Sequence, residues 1–426
     1  MITITNTQDN FDSAAIIFDW NRKLLSLFGL WPLMPNNFIY NCWLIYWTAH
    51  TIFEYIDLFL YTDNFEHVIE NLTENISFTQ ALVNIIMMKK YNKILKKLII
   101  EAMKNYHEKL YKSSSEQKIF FNYNNKTKLL CKFLFIFILI TAPSYYIKPL
   151  TNLINDVELG DNSSIKKYIL PYRFYNFYNI NNNKQYAFAY AASFPVIIIG
   201  GLAPAATDFL LITIVYYVSS KLSVLSLKIT NINSNSINLH NNIKEIFIEH
   251  KKLIEMGRKT QKIFSEILLF HFIGSTTLIC LVEYQIITVK QNENKCIMFQ
   301  RILIKLINYI VNIIIFVYKC YSYGQKTEIV SYISYILVIF MALYIHCVVG
   351  ESLVTESKTI CEAYYCCDWY NMTNGIQKDC TLGILRSQKV LCLSFGKFGI
   401  FELSTMTNVV KTSMGYLSVL RSLMTN

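Results

Sequence analysis

The chain has 426 residues, of which 53% are hydrophobic and 16% are charged, and its mean hydropathy is +0.30. Soluble proteins carry roughly 25% charged residues, so this composition argues against a soluble domain and favours a protein whose solvent is lipid. The formal net charge of +11 is not spread over the chain but is concentrated in two basic segments between apolar blocks. We therefore expect membrane lipid as a partner and no nucleic acid.

No motif in the sequence indicates catalysis, because it contains no phosphate-binding P-loop, no His-Glu-x-x-His helix and no nucleophile elbow. Four cysteines, Cys361, Cys366, Cys367 and Cys380, lie near Asp368 but lack the paired Cys-x-x-Cys arms of a zinc site. We expect reduced thiols there. The sequence predicts no enzyme, no metal site and no cofactor.

Seven apolar blocks, one of them only with its flanks, approach the length of about 20 residues that a helix needs to cross a bilayer. The predicted spans are Phe38–Leu60, Ile76–Met88 with its flanks, Leu129–Ile147, Ala187–Val218, Ile263–Val289, Ile329–Gly350 and Ile400–Met424. The predicted fold is an all-α membrane protein made of a single domain of seven transmembrane helices.

The distribution of charge predicts the orientation of these spans. Segments 89–132 and 219–262 are rich in lysine, whereas the loop 61–72 carries three acidic residues and no basic one. Basic segments stay in the cytoplasm, so the N-terminal residues 1–37 and the region 351–394, which would anchor the last helix, are predicted to be cytoplasmic. The C-terminus is then extracellular. The sequons at Asn71 and Asn162 fall on the predicted outer side, which permits glycosylation.

Polar residues inside the spans are costly in lipid and are predicted to face protein or water. They include Glu54 and Asp57 in the first span and Asp208 in the fourth, for which a structural hydrogen bond is favoured over a role in permeation. We interpret His271 and His346 as hydrogen-bonded core histidines.

The last span has a polar stripe. Small or polar residues recur at spacings of three and four, namely Ser404, Asn408, Lys411, Thr412, Gly415, Ser418 and Ser422. Apolar residues are predicted to fill the opposite face, namely Leu403, Met406, Val410, Met414, Leu417 and Leu420. Protein or water must meet such a stripe, so the helix is either a seam buried against neighbouring helices or a pore wall.

The segment from Phe395 to Ser422, FGKFGIFELSTMTNVVKTSMGYLSVLRS, resembles the carboxyl-terminal signature of insect odorant receptors. Other pieces that resemble the family are Gly350-Glu351-Ser352-Leu353 with Ser357, Ala363-Tyr364, Asp368-Trp369-Tyr370, Arg386-Ser387-Gln388-Lys389, Glu249-His250, Phe264-Ser265 and Ile279-Cys280. The similarity covers nearly the whole chain except roughly Gln291–Gln325.

The resemblance implies a multi-pass plasma-membrane protein of sensory neuron dendrites that forms a heterotetrameric, nonselective cation channel with an odorant co-receptor. The last helix of each subunit would line the pore, and the constricting positions of the family match Val419, Ser422 and Leu423 here, with Lys411 near the pathway. The family's Ser-Tyr-Ser-Tyr pattern is replaced by Ser413-Met414-Gly415-Tyr416, which puts the pore register in doubt. The co-receptor has a longer loop than 219–262, so the resemblance implies a tuning subunit.

The resemblance also implies a pocket for a small volatile ligand in the outer half of the subunit, among spans two, three, four and six. Such a pocket should be apolar and lined by aromatic rings. The candidate ligand-binding residues are Phe78, Tyr145, Tyr146, Tyr190, Phe194, Tyr332 and Tyr335. Tyr332 and Tyr335 are three apart and are predicted to project from one helix face. The alternative is an aromatic belt at the membrane interface.

Three alternatives stay open at this point. Gly200-Gly201 and Pro204 break span four, as a substrate-binding half-helix of a secondary transporter would. A gustatory-type receptor channel shares the architecture of the family. Residues 291–325 are interpreted as an atypical insertion on the outer side. Within them, the apolar stretch Ile302–Tyr318 has two other interpretations, an eighth span or a translated non-coding stretch of the gene.

Overall fold

The computed structural model describes residues 7–104, 106, 111, 113–158, 168–175, 180, 182–232, 239–290 and 327–425. In chain order the helices are α1 (Thr7–Leu27), α2 (Asn37–Leu60), α3 (Phe65–Lys90), α4 (Asn92–Met103), α5 (Ser114–Glu158), α6 (Asn183–Ala192), α7 (Phe194–Ile197), α8 (Ala203–Thr230), α9 (Leu239–Lys290), α10 (Thr327–Cys366), α11 (Asn374–Ser387) and α12 (Leu403–Thr425). A π-helical turn, Ile198–Leu202, joins α7 to α8, and a short 3-10 turn, Trp369–Asn371, precedes α11. Strands β1 (Ser394–Phe395) and β2 (Gly399–Ile400) form an antiparallel hairpin before α12.

Helices occur at all seven predicted spans, but several are longer than the spans. Hydropathy marks only the apolar part of each helix, whereas α5, α9 and α10 continue well into polar sequence. The seventh prediction was wrong at its start, because Ile400 pairs with Ser394 in the hairpin and α12 begins at Leu403. Gly396, with φ +61°, makes the turn that separates the two strands.

Four helical segments within the described residues are long and apolar enough to cross a membrane: Ser114–Ile147, Asn183–Thr230, Leu239–Ile286 and Ser331–Asn371. The other predicted spans, in α2, α3 and α12, are helical but are not among these four segments. In α2 the apolar sequence is interrupted by Glu54 and Asp57.

Helix α8 is the centre of the bundle. It contacts α1, α5, α9 and α10, and nearly every residue from Ala205 to Leu222 is buried. A helix that is apolar on all sides is stable only when other helices surround it. The sequence of α8 therefore explains its central place.

Polar groups predicted to face protein do so. The Nε2 atom of His346 lies 2.9 Å from Oδ1 of Asp208, which confirms the structural hydrogen bond predicted for this aspartate. His271 Nε2 lies 3.1 Å from the side-chain nitrogen of Asn84, so both core histidines have hydrogen-bonding neighbours. Glu54 is fully buried beside His50, 3.1 Å from its Nε2 atom.

Asn71 is the residue of one predicted glycosylation sequon, and the structure corrects that prediction. Its side chain is fully buried, and its amide donates to Asp57 Oδ2 at 2.8 Å and to the Glu54 carbonyl oxygen at 3.3 Å. A glycan needs an exposed amide, so the folded chain does not offer this site. Asn162 and the whole of 291–325 lie outside the described residues.

Residues that carry the family resemblance pack α10 against the start of α12. A Cβ atom on Gly350 would lie 2.1 Å from the Phe401 carbonyl oxygen, so only glycine lets α10 approach the start of α12 this closely. The Glu351 carboxylate accepts from the backbone N–H of Leu403 at 3.4 Å, and the Ser357 hydroxyl accepts from that of Leu391 at 2.9 Å. These contacts fix where α12 leaves the bundle.

Candidate ligand cavity and pore helix

A cavity of about 190 Å³ lies among α3, α5, the α7 to α8 segment, α9 and α10. Its wall is mostly apolar, with Ile138, Val196 and Leu278 among the lining residues. Polar side chains also line it, namely Thr73, Glu74, Ser77, Gln80, Thr141, Asp208, His271 and Ser275. An apolar wall with a few placed polar groups is the usual form of a small-molecule site.

The π-helical turn gives this cavity its shape. A Cβ atom on Gly200 would lie 3.2 Å from the Phe78 ring, and one on Gly201 would lie 3.2 Å from a methyl group of Ile138. Side chains at these positions would press against the cavity wall, so the glycines keep the space open. The π turn adds a local distortion of the kind often found at functional sites. The helix continues on both sides, unlike the separated half-helices of a transporter.

Three of the seven predicted ligand-binding residues line the cavity: Phe78, Tyr145 and Tyr335. The hydroxyl groups of Tyr335 and Ser77 share a hydrogen bond across α10 and α3. The Phe78 ring packs edge-on against Trp47, with centroids 4.9 Å apart. These three rings face the interior of the bundle, which is not where a lipid-facing aromatic belt would place them.

The other four predicted residues do not line the cavity. Tyr146, Tyr190 and Phe194 pack together, with centroid distances of 4.7 Å and 6.1 Å from the Tyr146 ring. The Tyr146 hydroxyl donates to the Tyr190 carbonyl oxygen at 2.7 Å, and Phe194 is 52% exposed. Tyr332 donates its hydroxyl proton to Glu70 Oε1 at 2.6 Å.

Sequence reasoning missed Tyr172, which lines the cavity from the segment 168–175 between α5 and α6. Its ring lies 5.5 Å from that of Phe78 and 6.2 Å from that of Tyr145. Helical periodicity carries no information about such a segment, so no sequence signal pointed to it. Gly200 and Gly201 were noticed but interpreted as a helix break.

Arg173, next to Tyr172, ties this segment to α3. Its guanidinium pairs with Glu70 and lies 3.3 Å from Glu74 Oε1, and its backbone N–H donates to Glu74 Oε2 at 2.9 Å. Burial would lower the pKa of Arg173, but Glu74 and Glu70 hold it above its usual value. The guanidinium therefore stays charged. Glu74 lines the cavity, and the Tyr145 hydroxyl approaches it at 3.5 Å.

Helix α12 packs on α9, and its buried residues are not those predicted. Thr405, Val409 and Ser413 are buried at spacings of four, whereas Leu403 and Met414 of the predicted apolar face are 44% and 38% exposed. The helix uses small side chains for close packing. The prediction assumed instead that the largest apolar residues face inward.

The polar stripe of α12 is exposed in the single chain. All seven of its members are exposed, namely Ser404, Asn408, Lys411, Thr412, Gly415, Ser418 and Ser422. A seam against the described helices of the same chain was therefore the wrong interpretation. Val419 is 55% exposed, and the Ser422 hydroxyl donates to the Val419 carbonyl oxygen at 2.8 Å. The Leu423 side chain lies outside the described part of the structure.

The family model of the 7tm odorant receptors matches residues 64–328 and 302–414. Odorant receptor 13a of Drosophila melanogaster is 24% identical over 194 residues, which are 42% of this chain and 38% of that protein. The odorant receptor coreceptor of Ooceraea biroi is 29% identical over 97 residues, 23% of this chain and 20% of that protein. The matched stretches thus span less than half of either relative.

Two solved structures share the fold. The insect olfactory receptor OR5 from Machilis hrabei superposes with a TM-score of 0.73 at 15% identity, covering 96% of this chain and 99% of that one. The structure of OR5 in complex with eugenol superposes with a TM-score of 0.72 at 15% identity and the same coverage.

Proposed function

Because the chain belongs to the 7tm odorant receptor family, we propose that it is a tuning subunit of an odorant-gated channel. It binds small volatile organic molecules and opens a nonselective cation pore together with a co-receptor. The fold is the seven-helix membrane fold of insect olfactory receptors. This membership decides against the transporter, and the family is not one of enzymes.

The observation that carries the proposal is the cavity among α3, α5, α8, α9 and α10. It has a mostly apolar wall, three aromatic rings from the predicted set and several polar side chains. A volatile molecule offers few hydrogen-bonding groups, so it gains affinity mainly from apolar and aromatic contact. The complex of the similarly folded OR5 with eugenol supports a ligand of this size and character.

The exposed stripe of α12 supports the channel part of the proposal. In lipid, a helix with Asn408, Lys411 and Thr412 exposed would be unstable unless water or another subunit met it. Four subunits around one axis would bring their α12 helices together around a water-filled path. Val419 and Leu423 would then form the narrow neck, with Ser422 beside it, and a ring of Val and Leu gates by dewetting.

The co-receptor supplies the remaining subunits, and similarity to curated coreceptors supports such a related partner. The assembly lies in the plasma membrane with the basic segments 89–132 and 219–262 in the cytoplasm, which leaves the C-terminus outside. Lys411 is unusual for a cation pore, and contact with the neighbouring subunit would neutralise it.

Expression in a cell line with and without the co-receptor tests this function. We expect little current from the chain alone. With the co-receptor we expect the odorant to open the channel while it is applied. The reversal potential of the current should be that of a nonselective cation channel. A response that needs G-protein signalling and carries no odorant-gated current would contradict the proposal.

A further inference from the structure

Two carboxylates lie in the wall of this mostly apolar cavity. Asp208 lies 2.9 Å from Nε2 of His346. The second carboxylate is that of Glu74. Its side chain is 4% exposed, and it lines the same space as Phe78 and Tyr145. An unpaired carboxylate in such surroundings is strongly destabilised and attracts any available cation. A cavity with a free Glu74 would therefore favour a positively charged ligand over a neutral one.

Arg173 supplies the cation from outside the cavity. It does not line the space, yet it contacts both Glu74 oxygens, one through Nη1 at 3.3 Å and the other through its backbone N–H at 2.9 Å. These contacts occupy both carboxylate oxygens, so little of their hydrogen-bonding capacity remains for a ligand. The charge of Glu74 is matched before any ligand enters.

Glu70 completes the cluster on the solvent side. It also pairs with Arg173, accepts the Tyr332 hydroxyl at 2.6 Å, and has a side chain that is 25% exposed. Two carboxylates and one guanidinium leave one negative charge in excess. This charge lies on the solvent side of the cluster, at Glu70, where water can screen it. The cavity side of the cluster is close to neutral.

We propose that Arg173 is a specificity-determining residue: by neutralising Glu74 it makes the cavity select neutral molecules and reject protonated amines. This inference rests on the proposed function, because it concerns which ligands the cavity admits. Arg173, the residue that decides which ligand charge is accepted, lies outside the cavity.

Arg173→Gln in the channel co-expressed with the co-receptor tests the claim with two ligands of matched shape, 2-phenylethanol and the protonated 2-phenylethylamine, or a like pair that the receptor detects. The substitution should raise the potency of the amine relative to the alcohol about tenfold, the change produced by 1.4 kcal/mol. The double variant Arg173→Gln with Glu74→Gln should return the ratio to that of the parent. Arg22→Gln, which removes an exposed ion pair with Asp19, is the matched control.

If the Arg173→Gln channel does not reach the cell surface, Glu74→Gln alone tests whether Arg173 neutralises Glu74. Since Arg173 already cancels the charge of Glu74, this variant should leave the amine-to-alcohol ratio unchanged. A marked fall in that ratio would mean that ligands feel the carboxylate in the parent protein, and the inference would be overturned.

The two levels of the proposal fail differently. If Tyr335→Phe alters potency while Arg173→Gln leaves the amine-to-alcohol ratio unchanged, the charge inference is wrong and the cavity assignment stands. If neither substitution nor any other change in the cavity wall alters a response, the ligand binds elsewhere and the proposed function of the cavity fails.

Discussion

Ser77 and Tyr335 show how single side chains set what the cavity offers to a ligand. Their hydroxyl groups are hydrogen-bonded to each other, one on α3 and one on α10, and both lie in the cavity wall. The wall also carries other polar side chains, such as Gln80, Asp208 and Ser275. We expect the Ser77 and Tyr335 pair to be one point at which a ligand hydroxyl or carbonyl group is oriented.

Tyr335→Phe tests that role with the loss of one oxygen atom. A buried hydrogen bond contributes about 0.5–1.5 kcal/mol, so ligands that bear a hydroxyl group should lose up to about tenfold in potency. Hydrocarbon ligands of the same shape should lose little. Dose-response curves with surface expression measured in parallel would show the difference, and Tyr344→Phe, an exposed tyrosine of the same helix, is the control. An equal loss for every ligand would point to a structural role only.

For Tyr145 and Tyr146 the sequence did not predict which of the two lines the cavity. Both are aromatic residues at one end of a predicted span, yet Tyr145 lines the cavity and Tyr146 packs against Tyr190. Neighbouring residues on a helix point about 100° apart, and sequence alone does not fix the rotation of α5 against its neighbours. By contrast, Tyr332 and Tyr335 share a face as predicted, since both hydroxyls bond to α3.

At the scale of elements, the segment from α7 through the π turn to α8 determines the size of the cavity. Its backbone approaches α3 and α5 closely because Gly200 and Gly201 have no side chains. Composition and hydropathy identified this segment as a span but did not show which helices its glycines face. That information depends on tertiary packing.

Gly200→Ala should narrow the cavity without unfolding the protein. The added methyl group would lie 3.2 Å from the Phe78 ring and 3.7 Å from Trp47, and the ring would have to move. Alanine is about 1 kcal/mol more favourable than glycine in a helix, so surface expression should hold. Potency should fall several-fold for the bulkiest ligands and little for the smallest. Gly375→Ala, where nothing lies within 4 Å of the new atom, is the control; a loss of the same size for all ligands would contradict the assignment.

The lengths of the helices are a second feature that the sequence did not predict. A helix occurs at each of the seven apolar blocks, although the seventh helix begins three residues later than predicted, at Leu403. The blocks did not predict that α9 runs from Leu239 to Lys290, since buried and exposed residues alternate along its first half and no continuous apolar block marks it. The motif residues Gly350 and Glu351 were recognised by resemblance, and only the structure shows that they hold the start of α12.

At the scale of the whole molecule, α12 is the element whose environment the single chain leaves incomplete. Its packing face, with Thr405, Val409 and Ser413, is buried, whereas Val419 and the polar stripe are exposed. Assembly around a central axis would cover part of this surface with subunits and leave the rest to water.

Val419→Cys and Val409→Cys distinguish the two faces of α12 in the assembled channel. A positively charged thiol reagent applied from outside should reduce the odorant-gated current through the first variant, because we propose that this side chain lines the pore. The second variant should be unaffected, since Val409 is 1% exposed and faces the bundle. The parent channel controls for native cysteines. Protection of Val419→Cys under all conditions would remove it from the pore.

A structure of the assembled channel with its activating odorant would show both where the ligand binds and how the α12 helices are arranged. We expect density for the odorant between Phe78, Tyr145 and Tyr335, and α12 helices from all subunits around one central path with Val419 facing it. Odorant density at another site with this cavity empty would rule out the cavity as the ligand site, and α12 helices directed toward lipid would rule out α12 as the pore wall.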